Sequence, residues 1–217
     1  MYSEYRKSIL TKLQKFAQKD NSKEDVEKVQ SAIIKKGDAC LIYRFATDVK
    51  GADIDKLQDA LIKLECSLYD SNSKPLYIFY FAKNVKGANI EKLQDAIIKT
   101  GDTQYIYEFA REIYGADIDK LQQAVIKAHG YLRDCNVFKF ARDVKGADVE
   151  KLENEIIKSD YLDIICKFAS EVLGADINKL HNAIVATGDK EYIEKFEKML
   201  DEKETIIDDA DTTWDIK

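Results

Sequence analysis

The sequence is poor in everything that interrupts a helix or builds a chemical site. Proline occurs once, as Pro75, and the nine glycines fall between apolar-periodic stretches rather than inside them. No apolar run approaches the roughly 20 residues that a membrane-spanning helix needs. The N-terminal MYSEYRKSIL lacks the long apolar core of a secretory signal. No membrane contact and a cytoplasmic location are therefore expected. The four cysteines, Cys40, Cys66, Cys135 and Cys166, form no C-x-x-C pair and have no histidine cluster near them. That argues against a zinc site or a disulfide framework, and for small buried or half-buried thiols in a reducing compartment.

Histidine is scarcer still. His129 lies beside Gly130 in a turn, with no acid or nucleophile at motif spacing. His181 takes the place that Gln58, Gln94, Gln122 and Glu153 hold in related segments. A residue that replaces surface glutamines is expected to be solvated. Neither histidine belongs to an H-E-x-x-H or similar pattern, and no glycine-rich phosphate loop is present. No catalytic residue, metal ligand or cofactor is expected. An enzyme would need a pocket of convergent titratable groups made only in three dimensions.

What the chain does have is repetition. In TQYIYEFAREIYGADIDKLQQAVIK (103–127), Ile106, Phe109, Ala110 and Ile113 recur at i, i+3, i+4 and i+7, one stripe of an α-helix. Asp102 is placed to cap that helix and Gly115 to end it, while Asp117 is placed to cap a second helix carrying Ile118, Leu121, Ala124 and Val125. The pair Phe-Ala registers the copies, at Phe16, Phe45, Phe81, Phe109, Phe140 and Phe168, with Phe196 followed by Glu197. The steps are 29, 36, 28, 31, 28 and 28 residues, a period of 28 with insertions. Turn glycines recur as Gly51, Gly87, Gly115, Gly146 and Gly174, and the second-helix caps as Asp53, Asn89, Asp117, Asp148 and Asp176.

The expected fold is all-α: a right-handed α-solenoid of about six antiparallel helix pairs with a C-terminal capping helix. One helical-repeat domain covers 1–200, in units of about 3–36, 39–65, 75–100, 102–128, 136–158 and 160–187, with a half-unit at 190–200. The first unit lacks the glycine-alanine turn and reads as an N-terminal cap. Insertions fall at 65–74, ECSLYDSNSK, and at Ala128 to Cys135.

Charge is uneven. In 201–217, Asp201, Glu202, Glu204, Asp208, Asp209, Asp211 and Asp215 outweigh Lys203 and Lys217, giving −5 of the formal net −6. The array is close to neutral, which speaks against a basic nucleic-acid footprint. The acidic tail also holds Ile206, Ile207 and Trp214, which either dock on the last helix or form a short motif for a partner.

Two lysine positions recur on the second helices: Lys56, Lys92, Lys120, Lys151 and Lys179 at one, and Lys63, Lys99, Lys127 and Lys158 at the other. Lys56 and Lys63 are i and i+7 and share a face. These lysines, with Trp214, are the candidate partner-binding residues. Acids such as Asp55 and Asp59 are placed to cancel the field, and the acidic tail could also lie on the stripe. Of the twelve tyrosines, Tyr43, Tyr77, Tyr80, Tyr105, Tyr107 and Tyr192 cluster on first helices. Their register assigns them mainly to packing, with interface anchoring as a second role.

The repeated FAxxVxGADIxKLQxAIIK pattern resembles short helix–turn–helix repeats of the α-solenoid kind, similar to HEAT-like arrays with a shorter period. Its wording also resembles repeat proteins of low-GC bacteria, phages and giant viruses. An extended repeat surface without catalytic motifs points to a non-catalytic scaffold or inhibitor that binds a protein. A phage-borne form would be an anti-defence protein of the anti-CRISPR type. The alternative is a nucleic-acid binder whose lysine stripe the acidic tail restrains.

Overall fold

The structure, a computed structural model, describes residues 2–65, 73–128 and 131–211, and side chains over 7–65, 74–128 and 132–202. Among the described residues the chain is all-helical, with 13 helices and no strand. It divides into two compact units between Asp117 and Ile118, so the division falls inside the expected unit 102–128.

Unit 1 holds α1 (Tyr2–Ala17), α2 (Lys23–Lys36), α3 (Ala39–Asp48), α4 (Ile54–Lys63), α5 (Ser73–Asn84), α6 (Ile90–Thr100) and α7 (Thr103–Glu112). The first helices α1, α3, α5 and α7 pack side by side in one layer, and α2, α4 and α6 in the other. Unit 2 holds α8 (Ile118–Lys127), α9 (Tyr131–Asp143), α10 (Val149–Ile156), α11 (Leu162–Glu171), α12 (Ile177–Thr187) and α13 (Lys190–Asp211). There α9, α11 and α13 are neighbours in sequence order, and α10 and α12 each pack on the first helix before them.

The 28-residue register builds the core. Phe45, Phe81 and Phe109 in unit 1, and Phe140, Phe168 and Phe196 in unit 2, are fully buried. The leucine that opens each second-helix stripe (Leu57, Leu93, Leu121, Leu152, Leu180) is fully buried as well. Both sets come from the apolar positions of amphipathic helices, which a two-layer packing brings face to face. Capping follows the expected residues. Asp102 accepts the N–H groups of Gln104 and Tyr105. Asp53, Asn89, Asp148 and Asp176 each accept the N–H three residues on. Pro75 stands in the first turn of α5, where its missing N–H leaves no bond unmade.

Several expectations change. Gly115 does not cap α7, which ends at Glu112. Ile113 turns extended, and the Ala116 N–H donates to the Ile113 carbonyl at 3.3 Å. Gly115, at φ +81, is the third residue of a tight β-turn of the kind that requires positive φ there. Residues 128–135 are less an insertion than an extension, because α9 begins at Tyr131 rather than near 136. The C-terminal half-unit does not stop at Leu200. Helix α13 runs on to Asp211, since DEKETIIDDAD offers no glycine or proline to end it. Trp214, Cys66, His129 and most of the 65–74 insertion lie outside the described residues.

The largest correction concerns the glutamines. Gln30, Gln58, Gln94, Gln122 and Glu153 are not on the surface; each is buried. In unit 1 the Asp53 N–H donates to Gln30 at 2.8 Å, the Asn89 N–H to Gln58 at 2.8 Å and the Asp117 N–H to Gln94 at 2.7 Å. In unit 2 the Asp148 N–H donates to Gln122 at 2.8 Å and the Asp176 N–H to Glu153 at 2.7 Å. The backbone N–H of a helix-capping residue has no acceptor within its own helix. The preceding repeat supplies one, so successive repeats are joined by a part-buried polar bond from a buried side chain.

Candidate binding surface

The lysines of the second helices are exposed, except the half-buried Lys179, but several are not free charges. Lys56 donates to Asp53 at 3.1 Å and Lys151 to Asp148 at 2.6 Å, in each case the acid that caps the lysine's own helix. Lys92 reaches Asp59 on the preceding second helix at 3.2 Å, and Lys179 reaches the buried Glu153 at 2.9 Å. The Lys56 backbone N–H, and then its ammonium, hold the Asp53 carboxyl below the usual carboxylate range. The Lys151 ammonium does the same for Asp148. The acids in turn raise Lys56, Lys151 and Lys179. Exposed pairs of this kind contribute little stability, but they offset part of the positive field that the sequence pattern implies.

At the second lysine position Lys63, Lys99, Lys127 and Lys158 are all exposed. Within unit 2, Lys127 and Lys158 line one cavity of about 610 Å³ together with Arg133, Asp134 and Glu155. That cavity is satisfied from within. Arg133 donates twice to the Ile126 carbonyl at the end of α8, and pairs with Asp134 and with Glu155. Lys158 also pairs with Glu155, at 2.8 Å, and holds its carboxyl below the usual range. Arg133 thus binds the C-terminal end of α8, whereas α2, α6 and α12 end on a glycine. Lys120 is exposed on the first turn of α8. The structure therefore gathers the candidate lysines by repeat and neutralises several of them; it does not assemble them into one bare cationic site.

His181 is half-buried rather than solvated. Its ring lies 5.4 Å from that of Phe196, and its Nε2 is 3.8 Å from the Glu197 carboxylate. Among the described residues no three His, Cys, Asp or Glu side chains converge on a metal-sized site. Cys40 and Cys166 are buried and Cys135 half-buried, and burial pushes the Cys166 thiol above its ordinary value.

A different surface stands out in unit 1. The rings of Tyr77 and Tyr43 are 5.8 Å apart, Tyr43 and Tyr80 6.0 Å, Tyr80 and Phe79 5.6 Å, and Phe79 and Tyr105 6.3 Å. Five aromatic side chains from α3, α5 and α7 thus form one continuous strip. Phe79 is buried, but the four tyrosines keep part of each ring in solvent, Tyr80 most at 37% exposure. The Asn84 amide donates to the Tyr43 hydroxyl at 2.9 Å and fixes that ring. Beside the strip Lys83 lies over the Phe79 ring and pairs with Glu112, whose carboxyl Lys83 and Arg111 hold below the usual range. The equivalent edge of unit 2 carries Phe138 under Arg142 and then Cys166, so the tyrosine strip belongs to unit 1.

Sequence reasoning grouped these tyrosines but assigned them mainly to packing. The signal is their position: Tyr77 and Tyr105 lie four residues before the core phenylalanine, Tyr43 two and Tyr80 one, although Tyr107, also two before, is buried. No family model matches the chain, and neither does any curated protein or solved structure.

Proposed function

We propose that this chain is a non-catalytic binding protein that holds another protein against its helical-repeat surface, as a scaffold or an inhibitor. The observation that supports the reading is the tyrosine strip of α3, α5 and α7. Rings that are large, stiff and half-exposed, each with a hydroxyl at its wet end, are the side chains that carry most energy in protein interfaces. Packing alone would bury them, as it buries Tyr107 on the same helix as Tyr105. An inhibitor of a host defence complex, the role suggested by the resemblance to phage repeat proteins, is one form of this reading.

The second reading, nucleic-acid binding, draws on the exposed lysines Lys63 and Lys99. The ion pairs at Lys56 and Lys92 and the near-neutral array weaken it. Capture from a lysate of the source organism, with and without nuclease, separates the two. A stoichiometric protein that survives nuclease and is lost with Tyr43→Ala/Tyr80→Ala supports protein binding. Recovery that nuclease abolishes and that the tyrosine changes leave intact replaces it with the second reading.

A further inference from the structure

The strip has a groove at one end. Between α3 and α5 a cavity of about 310 Å³ is lined by Cys40, Tyr43, Arg44, Tyr77, Tyr80 and Asn84. Three of its walls are tyrosine rings, and Asn84 is committed to the Tyr43 hydroxyl. Arg44 is the one charged residue among the described residues of the lining.

Arg44 differs from its counterparts. Arg111 is paired with Glu108 and Glu112, Arg133 with Asp134 and Glu155, and Arg142 with Asp143 and Glu171. Among the described side chains Arg44 alone of the arginines has no carboxylate partner. The nearest acid in sequence, Asp48 one turn later on α3, takes a 2.7 Å bond from the Thr47 hydroxyl instead. A guanidinium is a planar donor fork that matches a carboxylate. Here it stands unmatched at the rim of an aromatic groove. One cation suits a singly charged carboxylate; a phosphate dianion or a nucleic-acid backbone is usually met by several.

We propose that the groove between α3 and α5 is a docking site for an acidic linear segment of a partner protein, with a carboxylate of that segment on Arg44 and its apolar side chains on Tyr43, Tyr77 and Tyr80. The proposal rests on the protein-binding reading above and names the place and the chemistry of the partner. The rings supply contact area at low cost in side-chain freedom, and the single ion pair at the rim fixes register.

The test uses the full chain and a random linear-peptide display library. Recovered peptides are synthesised and titrated by fluorescence anisotropy against the unaltered chain, Arg44→Gln, Tyr80→Ala and the distant control Lys28→Gln. Each peptide is also made with its acids replaced by amides, and oligothymidylate serves as the nucleic-acid probe. The expected peptides carry Asp or Glu beside apolar residues. Loss of the charge-assisted pair in Arg44→Gln should weaken them about tenfold or more, Tyr80→Ala about fivefold or more, and Lys28→Gln not at all. Amide peptides should bind the unaltered chain about as weakly as acidic peptides bind Arg44→Gln, with no further loss when the two changes are combined. Circular dichroism confirms that the three variants, all at exposed positions, keep their helix content. The proposal is overturned if no peptide is recovered, if binding ignores both substitutions, or if oligothymidylate is the ligand that depends on Arg44. Failure here with protein capture intact removes the groove and leaves the protein-binding reading standing; loss of protein capture removes both.

Discussion

The side-chain oxygen of the buried Gln94 accepts the backbone N–H of Asp117 at 2.7 Å, across 23 residues of sequence. The same bond recurs at Gln30, Gln58, Gln122 and Glu153. The second helices α2, α4, α6, α8 and α10 therefore each hold the capping residue of the following repeat. Replacing the acceptor leaves a part-buried N–H unpaired, which costs roughly 1–3 kcal/mol. Gln94→Leu and Gln122→Leu should each lower unfolding free energy by about that amount. Gln123→Leu, the same chemical change at an exposed neighbour, should stay within about 0.5 kcal/mol. Urea denaturation gives the comparison. Equal effects at 122 and 123 would remove the glutamine from any structural role.

Glu153 is the variant rung, a carboxylate where the others carry an amide, and Lys179 pairs with it. Glu153→Gln keeps the acceptor for the Asp176 N–H and removes a buried charge together with the need for its counterion. Its cost should be below about 1 kcal/mol, whereas Glu153→Leu should reach the roughly 1–3 kcal/mol of a lost acceptor. Hydrogen exchange of the Asp176 amide should stay slow in the first variant and quicken in the second. Equally fast exchange in both would mean that the carboxylate charge itself holds the bond.

The acids that cap helices or pair across helices contribute to the acid limb of stability. Asp53, Glu112, Asp148 and Glu155 have carboxyls held below their ordinary values in the folded chain. The stability they contribute is present above the unfolded values and is lost as pH falls through the folded ones. Lys56, Lys151 and Lys179 are raised, so their contribution is present below the ordinary lysine value and disappears as pH rises past the raised one. Thermal midpoints should be level through neutral pH, decline below about 4.5 and decline again above about 10.5. Because the pairs are exposed, 0.5 M salt, an ionic strength of the order that shrinks the Debye length below about 5 Å, should flatten both limbs. Salt-independent limbs would show that other groups control them.

The Gly115 turn provides a backbone test. At φ +81 a side chain is strained although nothing lies within 4 Å of the Cβ it would add. Gly115→Ala should cost about 1–2 kcal/mol through the backbone alone, and Gly115→Asn less, because asparagine tolerates this region better. A neutral alanine would show that the turn can take another form. A cost equal for alanine and asparagine would point to crowding instead.

Much of the fold was legible because it depends on local pattern. The buried phenylalanines follow from the Phe-Ala register, and Asp53, Asn89, Asp102, Asp148 and Asp176 cap helices because short polar side chains before an apolar stripe do so. The glutamine rungs were not legible. Their partner is a backbone N–H, which every repeat offers and no letter of the sequence marks, and a polar residue in an exposed-looking row reads as surface. The Lys56–Asp53 pair sits at helix spacing and could be anticipated; the Lys92–Asp59 pair spans 33 residues and could not. Arg44 carried no signal either, since its isolation depends on which acids the fold brings near it. The continuation of α13 to Asp211 was hidden by treating acid content as a reason to leave the helix, although none of those residues breaks one.

The most direct measurement is the affinity of the captured partner for the unaltered chain, for Tyr43→Ala/Tyr80→Ala and for Arg44→Gln, each over a range of salt concentrations. Binding through the tyrosine strip of unit 1 predicts a nuclease-resistant protein partner with shallow salt dependence, weakened about tenfold or more by each variant. A ligand whose affinity falls steeply with salt and ignores the tyrosines would contradict the account and return the lysines to the centre of it.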